Sequence, residues 1–96
     1  MLSGKQKRYL RGLANRIDQR FQLGKEAPGE GLYGTLKAAL EAHELIKVAL
    51  LQTCPLETKE AGELLAKNTD SELVQTIGRV IVLYRRSTKA PKIVLP

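Results

Sequence analysis

The chain is poor in the residues on which most small enzymes and metal proteins depend. Its 96 residues include one Cys, one His, no Trp and four aromatic side chains. Cys54 cannot close an internal disulfide, and neither Cys54 nor His43 has partners at the spacing of a zinc site. We expect Cys54 to be a reduced, partly buried small residue, and His43 to be a structural residue that caps a helix and packs below it. Neither a metal nor a cofactor is expected.

Long apolar runs are missing as well. No apolar stretch approaches the ~20 residues of a membrane span, and Met1 to Lys5 lacks the apolar region of a signal peptide. With 43% hydrophobic and 27% charged residues, the composition is typical of a folded chain and not of a disordered one. We expect one cytoplasmic domain, because a chain of this length supports a single core and not two lobes around a cleft.

Charge is divided unevenly along the chain. The formal charge is +5 over residues 1–20, −4 over residues 21–72 and +5 over residues 73–96. If the two basic ends meet in the fold, they form a surface suited to a polyanion. The simpler alternative is that a pI near 9.7 reflects solubility alone. Between the two, the segregation of charge favours nucleic acid as a partner.

Hydrophobic spacing predicts a first helix over about residues 4–20, with Ser3 as its N-cap. Leu10, Leu13, Ala14 and Ile17 form its apolar stripe. The polar side chains around the rest of this helix are Lys5, Lys7, Arg8, Arg11, Asn15 and Arg16. The first helix is therefore expected to present a cationic outer face.

The remaining elements follow from apolar spacing and from turn residues. They are a strand at 21–23, a helix at 30–43, a strand at 45–52, a helix at 57–68 and a hairpin of strands 73–77 and 80–84. Strands separated by helices favour parallel pairing, and the hairpin adds antiparallel pairing. The predicted fold class is α/β: a single compact domain, α-β-α-β-α-β-β, with a four-stranded mixed sheet packed with helices. We expect one domain over 1–96, with an ordered core at about 3–86 and a loosely ordered basic tail at 87–96.

Residues 21–34 contain four of the eight glycines and match two glycine motifs by string alone. Gly29 to Gly34 spells GxGxxG, but the chain is too short for a doubly wound nucleotide fold. Gln52 to Cys54 stands where the ribose-binding acid is expected, the preceding strand is short and polar, and no Walker A sequence occurs. Gly31 to Gly34 also spells GxxG. Because Leu32 belongs to the core stripe of the second helix, we interpret that match as accidental and the segment as a helix start.

Gly24 and Lys25 are better suited to phosphate contacts, since they lie between the end of a strand and the start of a helix. Glycine admits close approach of a nucleic-acid backbone, lysine supplies a mobile cation, and a helix amino terminus offers free N–H donors. Glycine-rich turns of this kind are also common for geometric reasons alone. The basic helix that precedes this turn in sequence gives the functional interpretation its weight.

Four segments carry a family resemblance along essentially the whole chain: residues 2–11, 21–25, 40–48, and 73–79 continued by 82–85. They resemble the CRM domain and, more closely, its stand-alone bacterial YhbY-like members. The resemblance implies an RNA-binding domain similar in fold to the carboxy-terminal domain of translation initiation factor three. It also implies association with ribosomal RNA in precursors of the large ribosomal subunit, the pre-50S particle.

The family's GxxG loop follows the first strand, and Gly24 and Lys25 match its first two positions. Glu26 and Ala27 depart from the pattern, because an acid and a Cβ stand where the family has a bare turn. This departure would weaken close phosphate approach or displace it toward Gly29 and Gly31.

The sequence thus predicts a non-catalytic, monomeric RNA-binding protein that neutralises phosphates. Few aromatic residues argue against extended base stacking and favour structured RNA. Two alternatives stay open: a module that joins the ribosome through ribosomal proteins, and a small enzyme that acts on nucleotides. The predicted RNA-binding residues are Gly24, Lys25, Lys5, Lys7, Arg8, Arg11, Arg79 and Arg85, with Arg86 as an extension.

Overall fold

Three helices and four strands follow one another in the predicted order. The computed structural model describes residues 2–18, 20–25 and 28–96. Its elements are α1 (Gly4–Ala14), β1 (Phe21–Leu23), α2 (Glu30–His43), β2 (Leu45–Leu50), α3 (Thr58–Thr69), β3 (Glu72–Ile77) and β4 (Val80–Tyr84). Across these described residues, each helix is too short or too polar to pass through a lipid bilayer.

The strands form one mixed sheet in the order β1-β2-β4-β3, which confirms the predicted α/β class. β1 pairs in parallel with β2, while β4 pairs antiparallel with both β2 and β3. The expected parallel pairing therefore holds for β1 and β2, but β4 separates β2 from β3. The reason is that β4 is buried over residues 81–84 on both of its faces, which places it at the centre of the sheet.

The sheet is covered on both sides because its central strands are apolar on both faces. Ile46, Val48 and Leu50 of β2 belong to the core cluster that includes α2 and α3. Leu45 of β2 and Tyr84 of β4 belong to a second cluster, formed with α1 on the other face. Alternation of side chains along each strand thus produces two cores, one on each side of the sheet.

The first helix is shorter than its apolar spacing predicts. It begins with a capping box, in which the Ser3 hydroxyl accepts from the backbone N–H of Gln6 and the Gln6 side chain accepts from that of Ser3. Past Ala14, the Arg16 and Ile17 N–H groups bond three residues back, which tightens and ends the helix. The predicted end near residue 20 is therefore wrong. Ile17 still packs on the second cluster, so its apolar spacing persisted beyond the helix.

The prediction that His43 packs below α2 is also wrong. His43 is the last residue of α2, and its side chain is exposed. The next residue, Glu44, adopts a φ of 65° that ends the helix and turns the chain into β2. Its carboxylate, fully buried at 0% exposure, takes the interior position that was expected for His43.

The two carboxylates at the end of α2 bind the carboxy-terminal segment through its backbone N–H groups and two hydroxyl groups. Glu44 Oε2 accepts from the Ser87 N–H at 2.8 Å, and Glu44 Oε1 accepts from the Lys92 and Ile93 N–H groups at 2.6 and 2.7 Å. Glu41 uses Oε1 alone to accept from Ser87, Thr88 and Lys89. The boundary of the ordered core at residue 86 stays a prediction, but residues 87–93 are anchored to α2 by these bonds.

The hydrogen bonds also set the ionisation of both carboxyls. Burial alone raises the pKa of Glu44, but the backbone donors of the tail and the charge of Arg86 outweigh it, so the pKa lies below the ordinary 4.5. The Thr88 hydroxyl and the neighbouring donors hold the pKa of Glu41 below 4.5 as well. Both side chains therefore hold the tail in their ionised form.

We predict that Glu44→Gln destabilises the protein by about 1–3 kcal/mol, whereas Glu41→Gln changes stability much less. In the wild type, both carboxylate oxygens of Glu44 accept from backbone N–H groups. Glutamine has one acceptor oxygen, so its NH₂ group would face an N–H donor in place of the second oxygen. At position 41 all the donors bond to the same carboxylate oxygen, and the amide oxygen of glutamine can take its place. Urea unfolding of both variants measures the difference. Equal losses would contradict this account of the anchor.

The same anchor predicts a pH dependence of stability. A carboxyl whose pKa is lowered by folding contributes stability that is present above its unfolded pKa and is lost as pH falls through the folded value. The difference in unfolding free energy between the wild type and Glu44→Gln should therefore be largest at neutral pH and shrink below the ordinary pKa of 4.5. Urea unfolding from pH 7 down to about pH 3 measures this difference. A difference that stays constant over the range would refute the ionic origin of the anchor.

Candidate nucleic-acid interface

The outer face of α1 is a continuous basic surface, and we call its four cations, Lys5, Lys7, Arg8 and Arg11, the basic face. Leu10 and Ala14 bury the inner side of the helix against the sheet. Lys5, Arg8 and Arg11 are exposed, and Lys7 is half-buried. Within the described part of the chain, none of the four side chains donates a hydrogen bond to another protein group or forms an ion pair.

The charge at the start of α1 works against the helix. The first turn of α1 holds no acid, and Lys5 and Lys7 lie at the end where the helix dipole disfavours cations by about 0.3–1 kcal/mol each. The capping box of Ser3 and Gln6 offsets part of this cost. Arg11, in the last turn, has the sign that the dipole favours, so only Lys5 and Lys7 are left without an explanation in helix stability.

Charge on the opposite side of the sheet is mixed. α2 carries Glu30, Lys37 and Glu41, and α3 carries two lysines and two glutamates. The two basic ends of the chain do meet on the α1 side: Gln6 Nε2 donates to the Pro96 carbonyl at 3.3 Å, and Arg86 lines a recess beside Gln6. The fold thus concentrates positive charge on the α1 side.

The glycine loop, Gly24 and Lys25, lies where β1 ends at the edge of the sheet. The Leu51 N–H donates to the Leu23 carbonyl at 2.9 Å, which fixes the loop beside the end of β2. A Cβ on Gly24 would lie 3.6 Å from Leu51 Cδ1, an ordinary contact, so the fold does not require glycine there. Lys25 is exposed. Residues 26 and 27, which were predicted to weaken phosphate approach at this loop, lie outside the described residues.

Arg79 lies at the same end of the sheet as the glycine loop, in the turn between β3 and β4. Its Nε and Nη2 donate to the carbonyls of Leu50 and Leu51 at 3.2 and 2.7 Å. The Arg79 guanidinium therefore stabilises the end of β2, although Arg79 is exposed. Part of the donor capacity of Arg79 is therefore already used within the protein.

Arg85 is separated from the other predicted site residues. It follows β4 at the opposite end of the strand, and its Nη1 donates to the Thr69 carbonyl at the end of α3 at 3.4 Å. Arg86 is exposed and lies on the α1 side. The structure therefore brings Gly24, Lys25 and Arg79 to one end of the sheet and places the basic face on α1, while Arg85 lies toward α3.

Two further cations flank an open recess between the end of α1 and the sheet. In the sequence, one contributed only to the charge total and the other only interrupted the apolar pattern of a strand. They are Arg20, which is exposed, and Lys47, whose Nζ donates to the Ile17 carbonyl at 2.9 Å. We call this recess of about 140 Å³ the groove. Only the charge of residues 1–20 could have pointed to Arg20, because its position depends on where α1 ends.

The glycine motif at residues 29–34 is part of a helix. Gly29 caps α2, and Gly31 and Gly34 lie within it, which confirms the interpretation as a helix start. Among the described residues, no group of three or more His, Cys, Asp or Glu side chains is placed to hold a metal ion. Cys54 is a free thiol and is buried more fully than the partial burial that was predicted.

Comparison with known proteins identifies relatives along the whole length. Residues 2–85 match the family described as the CRS1 / YhbY (CRM) domain. The chain is 46% identical over 96 residues to the Bacillus subtilis probable RNA-binding protein YqeI, covering 100% of both chains. It is 42% identical to an RNA-binding protein of Haemophilus influenzae, covering 99% of this chain and 95% of that one. The solution structure of a hypothetical protein from Staphylococcus aureus is 50% identical and superposes with a TM-score of 0.82, covering 100% of both chains.

We predict that the two turn glycines differ in their importance for the fold. Gly24→Ala should leave the thermal midpoint nearly unchanged, because the added Cβ makes only ordinary contacts. Gly78→Ala should destabilise by about 1–2 kcal/mol, because Gly78 has a φ of 57° that a Cβ disfavours. Thermal unfolding followed by circular dichroism measures both. A large loss in Gly24→Ala would show that the fold itself requires that glycine.

Proposed function

The chain belongs to the CRS1 / YhbY (CRM) domain family, and on this premise we propose that it binds RNA without catalysing a reaction. The RNA we propose is ribosomal RNA in the precursor of the large ribosomal subunit. RNA binding is supported by the names of the relatives from Bacillus subtilis and Haemophilus influenzae. The ribosomal target is supported by the family resemblance of the sequence. We propose that the protein needs no cofactor for this function and acts in the cytoplasm.

One observation carries the proposal: the basic face holds four cations that are free of protein partners within the described residues. A cationic group that already donates to the protein must give up that bond to bind a phosphate. The groups of the basic face give up no protein bond, so contact with phosphate oxygens adds charge-assisted hydrogen bonds. Because these cations lie on one side of a rigid helix, their spacing suits the regular phosphate backbone of an RNA helix.

Contacts of this kind read the shape of the RNA and not its sequence. An A-form helix presents phosphates and 2′-hydroxyl groups along its minor groove, where a basic helix lies against the backbone. The glycine loop adds a second contact at the sheet edge, where exposed Lys25 supplies the charge and Gly24 leaves room for close approach. Phosphate neutralisation makes the affinity fall with salt concentration.

We predict that Arg8→Glu with Arg11→Glu lowers affinity for structured RNA, and that Lys25→Glu lowers it less. The double variant should also reduce the slope of log K against log salt by about one unit for each phosphate that the protein no longer neutralises. Lys59→Glu with Lys67→Glu is the matched control, because it changes the net charge equally on exposed positions of α3. Fluorescence anisotropy at several salt concentrations gives both quantities. If the control weakens binding as much as the double variant, net charge and not the basic face determines affinity.

The ribosomal target has a separate test. Crosslinking in cells, followed by sequencing of the attached RNA, should enrich large-subunit ribosomal RNA. Enrichment confined to messenger RNA would overturn the ribosomal target while leaving RNA binding intact. Association with the particle that survives ribonuclease treatment would instead favour a module that contacts ribosomal proteins.

A further inference from the structure

The sheet face beneath α1 is only partly covered. Two rows of paired residues cross this face beyond the end of the helix: Lys47, Val82 and Gln75 form the first, and Ala49, Val80 and Ile77 form the second. Val82 belongs to the α1 cluster, Val80 lies two residues before it, and paired residues share a face, so both rows point toward the α1 side. A bulge between Leu73 and Gln75 interrupts the alternation in β3, so Val74 and Gln75 lie on the same face. The groove lies over these rows.

The groove is open because α1 stops early. The helix ends at Ala14, and the chain then turns away toward Arg20 and β1. Had the helix continued to residue 20, as its apolar spacing predicts, it would have extended further across the sheet. As a result Ile77 is 58% exposed, a high value for an isoleucine in a strand.

The groups around the groove combine charge with hydrogen-bonding amides. Arg20 and Lys47 are its cations, Asn15 and Gln75 supply amides, and none of the residues that line it is acidic. The Lys47 ammonium uses one donor on the Ile17 carbonyl, which leaves two of its three donors. Amides bind the edges of bases, whereas cations bind phosphates.

The groove also lies between the two parts of the proposed RNA surface. Its side nearest the helix is formed by Ala14 and Asn15, which follow the basic face. Its far row ends at Ile77, immediately before the turn that contains Arg79. In the same row Ala49 pairs with Gln22 of β1, two residues before Gly24. RNA that spans the basic face and the glycine loop must therefore pass over the groove.

We propose that the groove binds one unpaired nucleotide beside the duplex held by the basic face, an inference that rests on the proposed RNA-binding function. The base packs on Ile77, and its edge hydrogen-bonds to the amides of Asn15 and Gln75. Arg20 and Lys47 neutralise the adjoining phosphate. A paired base cannot enter so small a recess, because its edges and faces are occupied within the helix, whereas bulged bases can be turned outward.

The test compares a fully paired RNA hairpin with one that carries a single-nucleotide bulge. The wild type should bind the bulged hairpin about tenfold more tightly, in the range that hydrogen bonds to one base edge contribute. Gln75→Ala with Ile77→Ala should remove this preference and leave affinity for the paired hairpin unchanged. Thr76→Ala is the control, because Thr76 is exposed on the same strand and pairs with Ile81, which faces the opposite core. Asn15→Ala gives an independent variant outside the sheet.

The outcomes separate this inference from the function on which it rests. Failure to bind either hairpin would overturn the proposed function. Equal binding of both hairpins by the wild type, or an undiminished preference in the groove variants, would overturn the groove site alone. The proposal also fails if those variants keep the preference but weaken association with ribosomal particles that resists ribonuclease, since the groove would then bind protein.

Discussion

The antiparallel pairing of β2 with β4 is the interaction on which the rest of the structure depends. Both strands are apolar on two faces, so each face of the sheet needs its own cover. α2 and α3 cover one face, and α1 with the anchored tail covers the other. Because β4 occupies the centre, β3 lies at one edge and β1 at the other, which leaves the end of β1 free to carry the glycine loop.

The helices that cover the two faces differ in charge and in extent, and the proposed function rests on both differences. The helices on one side carry mixed charge, whereas α1 carries four cations and no acid. α1 is also an 11-residue helix, too short to cover the whole face. A cationic helix, an open groove and a glycine loop therefore follow one another on one side of the sheet. The surface is extended, as recognition of an RNA backbone requires.

Elements and charge segregation could be predicted from the sequence because both depend on local patterns. Helix α2 and the hairpin lie within a residue of their predicted bounds. The end of α1 could not be predicted, since Ile17 continues the apolar spacing while its carbonyl bonds to Lys47, thirty residues away. Glu44 was missed for the same kind of reason: a charged residue is expected at the surface, and its backbone partners lie more than forty residues further along the chain. The groove depends on both the end of α1 and the strand register, neither of which a single-sequence pattern contains.

The central claim is that RNA binds on the α1 side of the sheet. The most direct measurement is a titration of the isotope-labelled protein with a structured RNA hairpin, followed by backbone amide chemical shifts. RNA bound on the α1 side should give the largest shift changes in Gly4–Ala14 and at Gly24 and Lys25, with little change in α2 and α3. Shift changes centred on α2 and α3, with α1 unaffected, would contradict it.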